Sequence, residues 1–384
     1  MDYQFTEEQN ALRDNVRKMM DRIATPEYIR RVDQERLFPY ELSQAWAEMG
    51  LYGVAFPEEY GGFGGTIIDM MIISEEIARK SYDFVGAYNG VLFCGLNVFK
   101  NGTEAQKNHW IPKLLSGQVR MTVSMSEPDA GSDTGAMRTT ARREGDHYVI
   151  NGQKLWSSGA GARNNVINLY CRTTDLKSDY RKGTSLFLVD NDAPGVTLRK
   201  LDMLGRRSVG TYEIFFDNVK VPADRLIGGE NGGWGCMLSG LQYERTVAIA
   251  AYVGGAQAVV DMTLEYARER KQFGKPIGSF QAIAHMLADM QTEVAAARAL
   301  MWQAARMVAA GQDALKEISM AKLFASETFV KAANQAMQIY GAAGYSMEYD
   351  IQRFFRDARG ATIAGGTSQI QRNLIARLMN LKIE

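Results

Sequence analysis

The spacing of apolar residues changes twice along the chain. From residue 1 to about 120 apolar residues recur three and four positions apart, as in "ELSQAWAEMGLYGVAF", which is the period of an amphipathic helix. Residues 121–228 have the pattern of short β-strands, and helical spacing returns at 229–384. We therefore predict an α+β protein with an N-terminal α-helical domain (1–120), a central antiparallel β domain (121–228) and a C-terminal four-helix bundle domain (229–384).

The central segment carries the strongest local turn signal. "HYVI", then Asn151-Gly152, then "QKLWSS" predicts a β-hairpin, because Asn-Gly accepts the positive φ angles of a type I′ turn. The glycine-rich stretch "GGENGGWG" at 228–235 marks the joint to the last domain. The predicted helix stops there are Gly274, Pro276, Gly311, Gly341 and Gly344, which delimit about four long helices.

Composition excludes several classes of function. The 44 Lys and Arg residues balance the 44 Asp and Glu residues, so no net field attracts nucleic acid or an anionic membrane. The most apolar stretch, 246–260, contains polar residues and is shorter than the ~20 residues of a membrane span. The N-terminus lacks the apolar core of a signal peptide. We predict a cytoplasmic protein that binds neither nucleic acid nor membrane.

Metal and disulfide chemistry also lack support in the sequence. Cys94, Cys171 and Cys236 are scattered without C-x-x-C spacing, and the three histidines lie far apart. No strand is followed by G-x-G-x-x-G, and neither a P-loop nor an H-E-x-x-H motif occurs. We predict no metal site.

Five loops have compositions suited to a polar ligand, although a purely structural interpretation is also open. "MSEPDAGSDTGAM" (125–137) is an irregular turn or a set of hydroxyl and backbone contacts. Trp156 and Ser158 in "KLWSSGAG" belong to a core, or else stack on a ring and bond its heteroatom. Arg270 in "RERKQFGKPIGSFQ" complements a helix end or meets a phosphate. "QIYGAAGY" and "AGGTSQ" combine glycines with hydrogen-bonding side chains, and Thr367 or Ser368 can cap the following helix.

The order of these segments carries a family resemblance. "FTEEQNALRD", "WAEMGLYGVAFPEEYGG", "MSEPDAGSD", "INGQKLWSS", "DNVKVPADRLIG", "YARERKQFGKPIGSFQ", "MQIYGAAGY" and "GGTSQIQRNLIAR" follow one another along essentially the whole chain. In these motifs the chain resembles the acyl-CoA dehydrogenase family. The resemblance implies an α, β, α subunit, bound FAD, a homotetramer, and oxidation of an acyl-CoA thioester with electrons passed to electron-transferring flavoprotein.

The resemblance also implies roles for individual residues. Met125 and Ser126 match residues that line the flavin face, Trp156 the residue covering the flavin ring, and Ser158 the group that bonds flavin N5. Ser132 matches a serine near the CoA arm. The remaining matches are cofactor contacts, made across a subunit interface by Arg270, Phe273 and Gln281, and around the FAD phosphates and adenosine end by Gln338, Gly341, Thr367 and Gln369.

The position of the catalytic base departs from the commonest family pattern. Many members carry a glutamate directly before "GTSQ", where this chain has Gly365. Glu244 and Arg245 in "LQYERTVAIAAYVGG" resemble the Glu-Arg pair of isovaleryl-CoA and long-chain acyl-CoA dehydrogenases and of the crotonobetainyl-CoA reductase branch. The resemblance implies Glu244 as base and Arg245 as a substrate-binding residue, whereas the residues alone favour a solvated helical charge pair.

The predicted activity is α,β-dehydrogenation of an acyl-CoA to the trans-2-enoyl-CoA, with Glu244 taking the proton and hydride moving to flavin N5. A carboxylate can do this only if burial raises its pKa well above ~4.3. The alternatives are an enoyl-CoA reductase of the crotonobetainyl-CoA type, an oxygen-using acyl-CoA oxidase, and a catalytically silent flavin-binding homologue.

Overall fold

The computed structural model describes residues 5–175, 177 and 179–383. Helices form the first part of the chain: α1 Glu7–Ile23, α2 Pro26–Gln34, α3 Tyr40–Glu48, α4 Ile67–Lys80, α5 Tyr82–Asn101 and α6 Glu104–Leu115. Their starts follow local chemistry. Thr6 and Thr103 each accept a hydrogen bond from the third residue of the helix and form capping boxes with Gln9 and Gln106.

The strands that follow are β1 Arg120–Ser124, β2 Thr140–Glu144, β3 His147–Ser158, β4 Asn165–Arg172, β5 Thr184–Asp190, β6 Val196–Leu201, β7 Thr211–Pro222 and β8 Leu226–Ile227. They pair in the order β6-β7-β3-β2-β4-β5-β8, with β1 on β4. Most pairs are antiparallel, as expected, but β1 runs parallel to β4 and β2 meets β4 in one parallel pair. The sheet is therefore mixed, because the β2–β3 hairpin and the loop before it make a connection long enough for a parallel return from β1 to β4.

The hairpin predicted at Asn151-Gly152 is wrong. The β2–β3 turn lies at Gly145-Asp146, and Asn151 and Gly152 lie inside β3. There the partner strand β7 bulges: Ile150 faces Val219 and Gly152 faces Phe216, so two residues of β7 oppose Asn151. A Cβ on Gly152 would lie 2.6 Å from the Thr139 Cα, which explains the glycine by close packing. Pairing along the whole of β3 outweighs the local turn preference.

The C-terminal part consists of α7 Gly233–Glu269, the short strands β9 Lys271–Gln272 and β10 Lys275–Pro276, then α8 Gln281–Ala309, α9 Leu315–Tyr340, α10 Ile351–Ala361 and α11 Ser368–Leu378. Within the described chain, three of these helices are long and α10 and α11 have eleven residues each. The α9 helix ends directly before Gly341, as predicted.

The α7 helix is long and apolar enough to cross a bilayer by composition, but 78% of its most apolar window is buried inside the protein. It packs against α4, α5 and α9, and Ser74 of α4 donates a hydrogen bond to the Val247 carbonyl at 3.3 Å. One buried cluster joins helices from both ends of the chain, and a second lies in the sheet around Ile150, Phe187 and Ile214. The α7 helix is thus the central helix of the larger core.

Candidate active site

Glu244 lies on α7 where this helix faces α5 and β4. Its carboxyl is half-buried, and burial raises its pKa, an effect that the neighbouring Arg245 cation partly offsets. Burial raises the pKa of the Cys94 thiol on α5, and the Glu244 charge adds to this. Burial raises the pKa of the Tyr170 hydroxyl on β4, and the Glu244 charge adds to this effect. The same hydroxyl accepts a hydrogen bond from Asn97 at 2.8 Å. A carboxyl with a raised pKa in such a junction is suited to taking up a proton.

Arg245 extends from the same helix turn toward the C-terminal loop. Its Nε is buried and makes no hydrogen bond within the described chain, and burial lowers the pKa of its guanidinium while Glu244 opposes this shift. A Cβ built on Gly366 would lie 3.7 Å from Arg245 Nη2. Arg245 therefore connects the helix of Glu244 with the loop that contains Gly366.

That loop, residues 361–367, joins α10 to α11 and is called the glycine loop below. Gly365 and Gly366 have φ values of 64° and 92°, and a Cβ on Gly365 would meet no atom within 4 Å. The Lys322 ammonium donates hydrogen bonds to the carbonyls of Ala361 (3.1 Å) and Gly366 (2.7 Å). Gln371 donates to the Gly365 and Gly366 carbonyls at 3.4 and 3.3 Å. Position 365 therefore has no side chain, the space beside it is open, and hydrogen bonds fix the backbone of the loop.

The start of α11 agrees with the sequence prediction. Thr367 is the N-cap, and its hydroxyl accepts a hydrogen bond from the Ile370 amide at 3.2 Å. Gln369 is exposed, whereas the Ser368 hydroxyl is buried and makes no hydrogen bond within the described residues. This helix end presents a polar surface next to the glycine loop.

A second loop, residues 125–139 and called the serine loop below, connects β1 to β2 beside the end of β3. The Leu155 amide donates to the Ser126 carbonyl at 2.8 Å, and buried Lys154 donates to the Met125 carbonyl at 2.9 Å and to Glu127 Oε1 at 2.7 Å. Glu127 also accepts from the amides of Arg138 and Thr139 at 2.6 and 3.0 Å. Met125 and Ser126 are half-buried, and this network fixes them against β3.

Trp156 is presented by a β-bulge. Between the pairs Lys154–Ile214 and Ser157–Tyr212, β3 has one residue more than β7, and Trp156 takes φ 67°. A bulky residue at positive φ is strained, and this one leaves its indole 54% exposed. With half-buried Ser158 two residues on, the bulge offers a flat ring and a hydroxyl to a planar heterocycle, which fits a flavin.

The other predicted cofactor residues lie elsewhere in a single chain. Arg270, Phe273 and Gln281 are exposed around the β9–β10 turn, about 39 Å along α7 from Glu244. Exposed Gln338 and Gly341 lie near that end too, because Tyr340 stacks on Tyr266 with ring centroids 4.0 Å apart. They are about 24 Å along α9 from Lys322 and the glycine loop. Ser132 is exposed on the serine loop.

Sequence reasoning missed the two buried lysines and the Asn97–Tyr170 pair. Lys154 and Lys322 are 0% and 1% exposed. A lysine inside the apolar run "SMAKLFAS" was a signal for Lys322, because a lysine on the buried face of a helix requires specific partners. Across the described ranges, no group of three or more His, Cys, Asp or Glu side chains is arranged to hold a metal ion.

Comparison with known proteins gives one consistent result. Three family sequence models match: Acyl-CoA dehydrogenase, N-terminal domain (residues 6–118), middle domain (122–219) and C-terminal domain (231–379). The chain is 39% identical to the glutaryl-CoA dehydrogenase of Desulfococcus multivorans, covering 98% of this chain and 97% of that protein. It is 35% identical to the caffeyl-CoA reductase-Etf complex subunit CarC of Acetobacterium woodii, covering 98% and 99%. A solved glutaryl-coenzyme A dehydrogenase–glutaryl-CoA complex superimposes with a TM-score of 0.93 at 36% identity, covering 100% of this chain and 98% of that one.

Proposed function

Because the chain belongs to the acyl-CoA dehydrogenase family of FAD-dependent oxidoreductases that act on acyl-CoA, we propose that it removes two hydrogens from an acyl-CoA to give the trans-2-enoyl-CoA. The observation that carries this proposal is Glu244, a half-buried carboxyl with a raised pKa where α5, β4 and α7 meet. Position 365 carries no side chain that could act in its place.

Glu244 takes the proton from the carbon next to the thioester carbonyl. Burial raises the pKa of Glu244 and makes its carboxylate a stronger base than an exposed one, and the Arg245 cation partly offsets this rise. FAD supplies, when bound, the acceptor at N5 for the hydride that leaves the neighbouring carbon. One proton and one hydride are lost and the carbon–carbon double bond forms, so that atoms and electrons balance.

The cofactor-binding roles are proposals of the same kind. Met125, Ser126, Trp156 and Ser158 are supported by the serine-loop network and by the strained, exposed indole. Thr367 and Gln369 are supported by the capped start of α11. Exposed Ser132 is proposed to lie along the CoA arm, and Arg245 beside the acyl group.

We propose that Arg270, Phe273, Gln281, Gln338 and Gly341 bind the cofactor of a neighbouring subunit in a homotetramer. All five are exposed, and Phe273 is 92% exposed on its turn. Contact with a neighbouring subunit would remove the apolar surface of this ring from water. Sedimentation velocity of the purified protein tests the assembly, and a stable monomer that retains FAD would contradict it.

Electron-transferring flavoprotein is the proposed redox partner, and the cytoplasm the proposed location. One relative is by its name a subunit of a reductase-Etf complex, and the exposed Trp156 ring lies at the surface where an electron carrier could approach. Reduction of purified electron-transferring flavoprotein in the presence of acyl-CoA tests the partner.

The first experiment is the visible spectrum of the protein during anaerobic addition of saturated short, branched, long and cyclic acyl-CoAs. We expect one of them to bleach the oxidised flavin band. Glu244→Gln should keep the flavin and bind the same thioester but bleach at least roughly a hundredfold more slowly, because general-base catalysis contributes on this scale. Glu265→Gln, an exposed carboxylate on the same helix, is the matched control and should behave like the wild type.

Equal bleaching by the wild type and Glu244→Gln would exclude Glu244 as the base. A flavin band that no saturated thioester bleaches would leave two alternatives, the silent homologue and the reductase. The reductase is favoured by the whole-chain similarity to a caffeyl-CoA reductase subunit. Rapid reoxidation of the chemically reduced protein by an enoyl-CoA would identify it, and no reoxidation would identify the silent homologue.

A further inference from the structure

A buried cation holds the glycine loop together with the buried amide of Gln371. Lys322 of α9 is 1% exposed, and its ammonium donates to the Ala361 carbonyl at the end of α10 and to the Gly366 carbonyl just before the cap of α11. These two bonds close the loop from both sides. No carboxylate forms an ion pair with Lys322 among the described residues, so the loop carbonyls are the acceptors that the structure gives it.

Arg245, the residue after the proposed base Glu244, lies beside the backbone of the glycine loop. A Cβ built on Gly366 would clash with Gln371 Nε2 at 2.8 Å and would be in van der Waals contact with Arg245 Nη2 at 3.7 Å, so both side chains lie on this face of Gly366. Gln371 is fully buried and donates to the same loop. A shift of the Gly366 carbonyl would therefore displace Gln371 and change the surroundings of the Arg245 guanidinium, whose charge acts on the carboxyl of Glu244.

The charges around Lys322 come from three helices. Arg245 of α7 faces it as a cation, and Glu327 of α9 faces it as an anion whose carboxylate is paired with Arg372 of α11 at 2.8 Å. Lys322 thus lies among one like charge and one carboxylate that is already engaged. Its two hydrogen bonds to carbonyls are charge-assisted and are therefore stronger than neutral ones.

We propose that Lys322 is a positioning residue of the reaction, whose ammonium fixes the glycine loop against Arg245 and so holds Glu244 in place for proton transfer. The proposal rests on the proposed function only for its catalytic consequence. The hold on the loop is a property of this chain, and hydrogen exchange measures it independently of turnover.

The test compares Lys322→Met, which keeps an unbranched side chain up to Cε but lacks the ammonium donors, with Lys322→Arg, which keeps charged donors. Lys316→Met is the matched control, because Lys316 is on the same helix but is half-exposed beside Glu317. Amide hydrogen exchange of the purified proteins at neutral pH is read at Ala364 and Ser368, whose amides donate within this loop to Gly360 and Thr362. The β3 and β4 amides report global stability.

We expect Lys322→Met to raise exchange at Ala364 and Ser368 by roughly tenfold to a hundredfold, which is the factor that corresponds to losing one charge-assisted hydrogen bond. The β3 and β4 amides should change less. In the same protein kcat for flavin reduction should fall about tenfold or more with KM for acyl-CoA little changed, because alignment of the base is lost and not substrate binding. Lys322→Arg should recover part of both effects.

Unchanged loop exchange in Lys322→Met would overturn the anchoring role. Increased loop exchange with unchanged kcat would overturn the positioning role. If no acyl-CoA reduces the wild-type flavin, the proposed function fails on its own, and the exchange measurement still decides whether Lys322 holds the loop.

Discussion

Two buried lysines hold the two loops of the candidate site, and they differ in what faces the ammonium group. Lys154 holds the serine loop through a 2.7 Å ion pair with Glu127 and a bond to the Met125 carbonyl. Lys322 holds the glycine loop through two carbonyls alone. Burial lowers the pKa of both lysines, but Glu127 opposes this shift at Lys154, whereas Arg245 adds to it and brings the pKa of Lys322 to about 8.

This difference separates an ion-paired anchor from one held by neutral groups. Glu127 stabilises the charged form of Lys154, and Lys154 in turn lowers the pKa of Glu127. Carbonyl dipoles stabilise an ammonium less than a carboxylate does, and the pKa of Lys322 is lowered to about 8. The anchor of the loop beside Arg245 therefore titrates slightly above neutral pH.

The largest effect should come from breaking the ion pair. Glu127→Gln leaves the Lys154 charge buried without its partner, so we expect unfolding stability to fall by about 3–5 kcal/mol. Lys322→Met removes the charge and leaves the Ala361 carbonyl without its side-chain donor, while Gln371 still donates to the Gly366 carbonyl, so it should cost less, about 1–3 kcal/mol. Urea unfolding midpoints of both variants measure the ranking, with exposed Glu144→Gln as control. A smaller loss for Glu127→Gln than for Lys322→Met would reverse the comparison.

The next effect is a pH dependence with a defined sign. In the unfolded chain Lys322 binds a proton up to about pH 10.4, but in the folded protein only up to about pH 8, so between these values the unfolded state holds more protons. The contribution of Lys322 to stability should therefore rise with pH across this window, by up to roughly 3 kcal/mol. Other buried groups titrate here too, so the quantity to compare is the stability of the wild type relative to Lys322→Met, from urea midpoints at both ends of the window. This difference should change in favour of the wild type as pH rises, and an unchanged difference would assign the pH dependence to other groups.

The smallest effect concerns the two glycines of one loop. Gly365→Ala and Gly366→Ala both place a side chain at positive φ, which costs about 1–2 kcal/mol. Only the second also pushes a Cβ to 2.8 Å from Gln371 Nε2, whereas position 365 is open. We expect the Gly366 variant to be less stable by about a further 1 kcal/mol. Thermal unfolding of the pair checks this, and equal losses would mean that Gln371 moves aside freely.

The layout of the fold was predictable because its signals are local. Apolar spacing located the helical and β segments, and glycines located the end of α9. The position of Asn151-Gly152 inside β3 was not predictable. Its partner residues on β7 lie more than sixty residues away, and a bulge in β7 accommodates these two residues within the paired strands. Sequence spacing also could not predict that β1 runs parallel to β4.

For the site, motif order supplied the loops but not what fixes them. Lys154 and Glu127 are 27 residues apart in sequence, and Lys322 is 39 and 44 residues from its carbonyl partners. No single-chain pattern encodes such pairs. The roles of Arg270, Phe273 and Gln281 stay predictions for a related reason, because one chain leaves them exposed and far along α7 from Glu244.

The sharing of one core by helices from both ends of the chain has a consequence for biosynthesis. Ser74 meets Val247 and Glu75 meets Arg298, contacts that span 173 and 223 residues. At about 5–20 residues per second, a ribosome needs roughly ten to thirty-five seconds to synthesise the first of these spans. During that time the apolar faces of α4 and α5 have no α7 to cover them. Nascent chains of this protein should therefore be clients of ribosome-associated chaperones until the last helices emerge.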